Sequence, residues 1–192
     1  MREKEIEFKN LLSQNDYEKL YNSLNLDQEQ TIINKNYYYD HNDILKNNNM
    51  ALRIRDFNKK REITLKIKGK YENIEINIPL PLEATIEQYN FENLPEDIQL
   101  ELKKHNIVPK NFYLLQYIET TRKEKYTYEG LLVLDKTTFR NNIVDYELEF
   151  EVTDYEKGKE NFEKLLNDFN IPFQPAKPKI ARAVSYAKNL ER

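Results

Sequence analysis

A two-residue alternation of apolar and charged side chains recurs in short stretches from one end of this 192-residue chain to the other and is its dominant pattern. Successive side chains of a β-strand point to opposite faces of a sheet, so this period is typical of strands with one apolar and one charged face. The pattern occurs at 3–9, 52–55, 63–68, 74–78, 131–135 and 144–152, with further β-rich stretches at 31–39 and 112–128. Helical periodicity is confined to 13–24, 96–105, 156–169 and 180–190. The sequence therefore predicts an α+β fold of about eight antiparallel strands with a few helices outside.

The charged positions are segregated by sign from strand to strand. Arg53 and Arg55 alternate on one predicted strand, Lys66 and Lys68 alternate on another, and the last strand carries only acids. Those acids are Asp145, Glu147, Glu149 and Glu151. Like charges along one face repel each other, so such rows indicate that ions of opposite sign lie between them. A closed or nearly closed barrel with its polar face inward would provide this arrangement, because about eight strands enclose room for one small ligand.

The amino-acid composition argues against several classes of function. The 30 Lys and Arg nearly balance the 33 Asp and Glu, which argues against a basic nucleic-acid-binding surface. The absence of Cys excludes thiolate zinc sites and thiol nucleophiles, and only 3 Gly leave no Gly-rich phosphate loop. No apolar run approaches the ~18 residues of a membrane span, and the N-terminal residues do not read as a signal peptide. We therefore expect one cytoplasmic domain, 1–192, that binds neither nucleic acid nor a membrane.

A series of charged motifs follows one order along the chain. It begins with Glu5-Ile6-Glu7-Phe8-Lys9, a Glu-x-Glu-x-Lys motif. It continues with Arg53-Ile54-Arg55, Lys66-Ile67-Lys68, Glu75, Arg122, Asp135, Glu147-Leu148-Glu149, and Lys179 with Arg182. In this order the motifs resemble those of the CYTH superfamily, the triphosphate tunnel metalloenzymes. The resemblance extends from residue 3 to residue 182 and is greatest with the small stand-alone CYTH proteins of Firmicutes, which are often labelled adenylate cyclases.

The resemblance implies a closed eight-stranded antiparallel β-barrel with a charged interior, helices packed outside, and a bound triphosphate with Mg²⁺ or Mn²⁺. The residues implied to bind substrate are Lys9, Arg53, Arg55, Lys66, Lys68, Arg122, Lys179 and Arg182. Those implied to bind metal are Glu5, Glu7, Asp135, Glu147 and Glu149, with Glu75 in a supporting or metal-binding position. Lys9, Glu147 and Glu149 are expected to take part in catalysis. Spacing leaves open whether Arg140 replaces or assists Arg122, and which acids of the last strand bind metal.

Three functions are compatible with these residues. The first is metal-dependent hydrolysis of inorganic tripolyphosphate or a small organic triphosphate such as thiamine triphosphate. The second is an adenylate cyclase that makes cyclic AMP and pyrophosphate from ATP, although no adenine pocket can be identified from the sequence. The third is a non-catalytic module that binds polyphosphate or a nucleotide. The acids favour catalysis, because binding an anion alone needs only the basic rows. Family members often dimerise, so a homodimer is a further expectation.

Overall fold

The computed structural model describes residues 1–82 and 87–190, of which 141 and 188–190 are described for the backbone alone. Within these residues the strands are β1 (Arg2–Leu12), β2 (Thr31–Asp40), β3 (Met50–Phe57), β4 (Lys60–Ile67), β5 (Asn73–Leu80), β6 (Gln88–Asn90), β7 (Asn111–Tyr126), β8 (Leu131–Thr138) and β9 (Val144–Val152). The α-helices are α1 (Gln14–Ser23), α2 (Ile44–Asn47), α3 (Glu96–Lys104), α4 (Tyr155–Asp168) and α5 (Lys179–Leu190). Short 3-10 helices cover Phe91–Asn93 and Arg140–Asn142.

All of these strands belong to one sheet, in the order β2-β3-β4-β5-β1-β9-β8-β7-β6. Because β2 also pairs with β7, the eight strands other than β6 form a closed ring. The fold is therefore α+β, with a closed eight-stranded antiparallel β-barrel and helices outside, and the prediction from the sequence is confirmed. The sequence did not predict β6, because a strand of 3 residues is too short to display a two-residue period.

The chain divides into two compact units, which are described separately. The first unit consists of Met1–Lys4 and Lys35–Tyr117. Its apolar core joins one face of the β3–β4 hairpin to helix α3: Leu52, Ile63, Ile98 and Leu102 are fully buried. Ile98 and Leu102 are the pair, four residues apart, from which the helical period was inferred. The apolar residues of the two-residue period face this core, so the charged residues of the same strands lie on the opposite face of the sheet.

The second unit consists of Glu5–Asn34 and Ile118–Arg192. Leu148 and Phe150 of β9 pack in one apolar cluster with residues of α1 and α4, including Leu20 and Phe162. Helix α4 approaches the sheet closely at Gly158, where a Cβ would lie 2.4 Å from a methyl carbon of Val152. This packing buries the apolar residues of β9 and leaves its alternating acidic residues on the other face of the strand.

Four of the five α-helices in the described residues were predicted, with ends that differ by at most one residue. The starts of α1 and α4 follow ordinary capping chemistry, because Ser13 and Asp154 accept hydrogen bonds from the amides of Asp16 and Lys157. The unpredicted helix α2 has only 4 residues, too few to display a helical period. Its start is held by a local contact, because the Asp40 carboxylate accepts hydrogen bonds from the amides of Leu45 and Lys46 at 2.9 and 3.2 Å.

None of the helices in the part of the chain that the structure describes has both the length and the apolar character that a membrane span needs.

Candidate functional site

Acidic side chains of two neighbouring strands meet in the second unit. Glu147 and Glu149 of β9 are 1% and 2% exposed, and Asp135 of β8 is fully buried. The β8–β9 register places Asp135 directly opposite Glu147. Each of the three carboxylates offers an oxygen, and these oxygens lie within 4.8 Å of one another. We call Asp135, Glu147 and Glu149 the carboxylate cluster.

Four basic side chains neutralise this cluster. Arg122 binds Asp135 through two parallel hydrogen bonds of 2.8 and 2.7 Å and reaches Glu149 at 2.8 Å. Lys179 contacts all three carboxylates, at 2.9 Å from Asp135 and 2.6 Å from Glu149, with a shorter contact to Glu147.

The other two basic side chains are at opposite ends of the chain. Lys9 lies 2.8 Å from Glu149 and 2.8 Å from Glu7. Arg182 donates a hydrogen bond of 2.6 Å to Glu147 and binds Asp145 at 2.8 Å. Buried charges are stable only when they are paired in this way. The contacts therefore tie strand β1, strands β7 to β9 and helix α5 to one site within the second unit.

The protonation behaviour of the cluster follows from burial and from the neighbouring charges. Burial by itself would raise the pKa of Glu149, but Lys179, Lys9 and Arg122 hold that pKa well below its usual range. Arg122 and Lys179 likewise hold the pKa of Asp135 below its usual value against the effect of burial. For Glu147 burial prevails and its pKa is raised, with the charge of Glu149 adding to the effect. Two adjacent carboxyls with divergent pKa values are a feature of functional sites.

The remaining acids of this face lie outside the cluster. Glu7 contacts Lys9 at 2.8 Å and is directly opposite Glu151 in the β1–β9 register. Burial raises the pKa of Glu151 to about 7, and the negative charges of Glu5, Glu149 and Glu7 add to this rise. Asp145 binds Arg182 and accepts a hydrogen bond of 3.2 Å from the Tyr186 hydroxyl. Of the four alternating acids of β9, the structure thus places Glu147 and Glu149 in the cluster with Asp135.

The basic rows of β3 and β4 lie in the first unit, where a second polar network surrounds Glu75. Lys66 contacts the Glu75 carboxylate at 3.1 Å. Thr64 donates a hydrogen bond of 2.7 Å to Asn77 and lies 3.4 Å from a guanidinium nitrogen of Arg53. Burial by itself would raise the pKa of Glu75, but the charges of Lys66 and Arg53 lower it to about 2. This network joins β3, β4 and β5 through side chains of one face.

Three further basic residues are arranged differently from one another. Arg55 is bound to Glu62, its cross-strand partner, at 2.5 Å. Lys68 lies one residue beyond the end of β4 and its side chain is exposed, so the structure does not bring it into the network around Glu75. Arg140 is also exposed, in the short 3-10 helix, whereas Arg122 contacts the carboxylate cluster. Of the two arginines between which spacing could not choose, Arg122 is the one that lies at the carboxylate cluster.

Several participants were not singled out from the sequence. Glu62, Thr64 and Asn77 are the cross-strand partners of basic residues or of each other. The two-residue period already placed these residues on the polar face of their strands. Which residues they contact could be known only from the register between the strands. Tyr186 carried no signal, because it reaches Asp145 from a helix more than 40 residues away in sequence.

Known proteins match this chain over nearly its whole length. The CYTH domain profile matches residues 3–184. A candidate triphosphatase of Bacillus subtilis, YjbK, is 35% identical over 182 residues, which is 94% of each chain.

Solved structures show the same fold. The crystal structure of a candidate adenylate cyclase from Bacillus halodurans superposes with a TM-score of 0.84 at 28% identity, covering 94% of this chain and 97% of that one. HpAC1 of Hippeastrum, a candidate adenylyl cyclase with a dominant triphosphatase activity, has a TM-score of 0.68 at 20% identity, covering 94% and 95%. The ordered charged motifs, the closed antiparallel barrel and the profile match lead to one conclusion: this chain belongs to the CYTH domain family.

Proposed function

We propose that this protein is a metal-dependent triphosphatase that hydrolyses inorganic tripolyphosphate or a small organic triphosphate. The observation that carries the proposal is the carboxylate cluster itself. Three carboxylates are buried together, with four basic side chains in contact with them. A binding module for anions would need the basic residues only, and the buried acids would weaken its affinity. The combination instead suits a substrate that is a polyanion accompanied by a divalent cation.

The donor set of the cluster fits Mg²⁺ or Mn²⁺. Both ions prefer hard oxygen ligands, and all three groups of the cluster are carboxylates whose oxygens lie within 4.8 Å of one another. Asp135, Glu147 and Glu149 would hold the ion, and the family resemblance adds Glu5 and Glu7 to the proposed ligands. Bound there, the ion would supply neutralising charge for the phosphates and a more acidic water.

The basic residues would bind the phosphate oxygens. Arg122 and Arg182 present planar guanidinium groups that suit two-point contacts with phosphate, whereas Lys9 and Lys179 act as compact charges. In the first unit, Arg53, Arg55, Lys66 and Lys68 are proposed to contribute to substrate binding, as the resemblance implies. Phosphoryl transfer depends mainly on positioning and neutralisation of charge, which these groups can provide.

In the proposed reaction, water attacks the terminal phosphorus. A new P–O bond forms to the water oxygen, the anhydride P–O bond breaks, and inorganic phosphate and a diphosphate leave. The candidate triphosphatase YjbK and the dominant triphosphatase activity of HpAC1 support hydrolysis over cyclisation. A cyclase would instead release pyrophosphate and cyclic AMP from ATP.

The test is an assay of phosphate release from tripolyphosphate, thiamine triphosphate and ATP with Mg²⁺ or Mn²⁺, together with analysis of the products for cyclic AMP and pyrophosphate. We expect phosphate release without cyclic AMP. Glu147→Ala should lower the rate by on the order of 10²–10³, as the loss of one electrostatic stabiliser does elsewhere. Glu160→Ala, on the exposed side of α4, is the matched control and should leave the rate unchanged. Wild-type hydrolysis by Glu147→Ala would refute the metal assignment, and cyclic AMP as the main product would refute the hydrolase.

A further inference from the structure

The ammonium group of Lys179 lies at the centre of the carboxylate cluster. It contacts Oδ2 of Asp135 at 2.9 Å, Oε1 of Glu149 at 2.6 Å and Oε1 of Glu147 at a shorter distance. An ammonium group has three N–H donors, so each donor can be matched to one carboxylate. No other basic side chain in the described residues has a contact with all three members of the cluster.

The other basic partners each contact one or two members of the cluster. Arg122 binds both oxygens of Asp135 and Oε2 of Glu149, and Arg182 binds Oε2 of Glu147. Lys9 shares Oε1 of Glu149 with Lys179. Arg122 and Arg182 bind Oε2 of Glu149 and Oε2 of Glu147, so these two contacts can remain while the Oε1 oxygens change partner. Oδ2 of Asp135 is shared by Arg122 and Lys179, and Arg122 keeps its bond to Oδ1 when Lys179 leaves. Oε1 of Glu147 has Lys179 as its only cationic contact among the ion pairs of the described chain.

Helix energetics do not explain the position of this lysine. Lys179 is the first residue of α5, and the first turn of α5 contains no acid. A cation at a helix N-terminus is disfavoured by the helix dipole, which attracts anions there. Lys179 is therefore held by the carboxylates, against the preference of its own helix.

We propose that the ammonium group of Lys179 takes the place of the divalent ion in the metal-free protein and competes with it, so that metal binding requires this side chain to move away. The inference rests on the proposed function only in taking the carboxylate cluster as the metal site. It assigns Lys179 a positioning role: the lysine preserves the arrangement of three buried carboxylates until a metal ion replaces it. A triphosphate that attracts the displaced ammonium would then favour binding of metal and substrate together.

The test measures Mn²⁺ affinity directly, without substrate. Chelator-treated protein is titrated with Mn²⁺ by calorimetry, and free Mn²⁺ is followed by electron paramagnetic resonance. Lys179→Met removes the ammonium while keeping an unbranched side chain, and we expect it to bind Mn²⁺ about tenfold more tightly or better than wild type. Lys179→Arg keeps the positive charge and should bind no more tightly than wild type. Lys177→Met is the matched control, because this nearby lysine is exposed and its loss should leave the affinity unchanged.

Loss of Lys179 also leaves the buried carboxylates short of positive charge, which destabilises a folded protein. Added Mn²⁺ should therefore raise the unfolding temperature of Lys179→Met by more than it raises that of wild type. If Lys179→Met folds only with Mn²⁺, its rate of Mn²⁺ release to excess chelator replaces the titration and should be slower than that of wild type.

The outcomes separate this inference from the proposed function. Equal or weaker Mn²⁺ binding by Lys179→Met, or unchanged or faster release, overturns the competition even if wild type hydrolyses tripolyphosphate. Tighter binding by Lys179→Met supports the competition even if no triphosphate is hydrolysed. Absence of Mn²⁺ binding in both wild type and Lys179→Met overturns the metal site and the inference together.

Discussion

The lowered pKa of Glu75 leads to a quantitative prediction about acid stability. The charges of Lys66 and Arg53 lower the pKa of this largely buried carboxyl from 4.5 to about 2. At about 1.4 kcal/mol per pKa unit, the difference corresponds to ~3 kcal/mol of stabilisation of the folded state when the carboxyl is ionised. Because the folded-state pKa is the lower one, this stabilisation is present above about pH 4.5 and is lost as the pH falls toward 2.

The perturbation is Glu75→Gln, which keeps the shape of the side chain and removes its charge. Urea unfolding at pH 6 should show this variant to be less stable than wild type by ~3 kcal/mol. At pH 3 the deficit should shrink to ~1 kcal/mol, because unfolding of wild type then takes up a proton at Glu75, which favours the unfolded state. Glu72→Gln is the matched control: Glu72 forms an exposed ion pair with Lys4, so its loss should cost at most ~1 kcal/mol.

A double-mutant cycle identifies the cause. If the charge of Lys66 maintains the low pKa, Glu75→Gln should cost much less in a Lys66→Met background than in wild type. A deficit for Glu75→Gln that is the same at pH 6 and pH 3 would refute the electrostatic reasoning. Equal costs in the two backgrounds would show that Lys66 is not the partner responsible.

Three further predictions concern packing, the C-terminal segment and the metal. Gly158→Ala should destabilise the protein by ~1–3 kcal/mol in urea unfolding, because its Cβ would lie 2.4 Å from Val152, and a stability equal to wild type would contradict the close approach of α4. Asn10→Ala should cost ~1–3 kcal/mol and speed hydrogen exchange of the Gln174 amide, since the buried Asn10 side chain binds that amide and the Pro172 carbonyl; unchanged exchange would refute this anchoring. Removing divalent ions with a chelator should abolish phosphate release from tripolyphosphate and added Mg²⁺ or Mn²⁺ should restore it; activity that persists in chelator would contradict metal dependence.

The two-residue period determined the fold class. It marks which residues of each strand share a face, and the sign of the charged residues on each strand follows directly from the sequence. From these features an α+β barrel with basic and acidic rows could be predicted, and the helical stretches were recognisable from the spacing of residues such as Ile98 and Leu102. Local propensity suffices for such elements because each is long enough to show its own period. Helix α2 and strand β6 escaped prediction because, with 4 and 3 residues, they are too short to show a period.

Only the tertiary structure decided which charged residues are partners. Alternation places Asp145, Glu147, Glu149 and Glu151 on one face of β9, but it does not distinguish among them. The distinction comes from the register, which sets Asp135 beside Glu147, and from the entry of Lys179 at the start of α5. A strand period defines a face, whereas a binding site is defined by distances between strands and helices that are remote in sequence. Electrostatic pairing acts over a few ångströms, so it follows from the folded geometry and not from the order of residues along the chain.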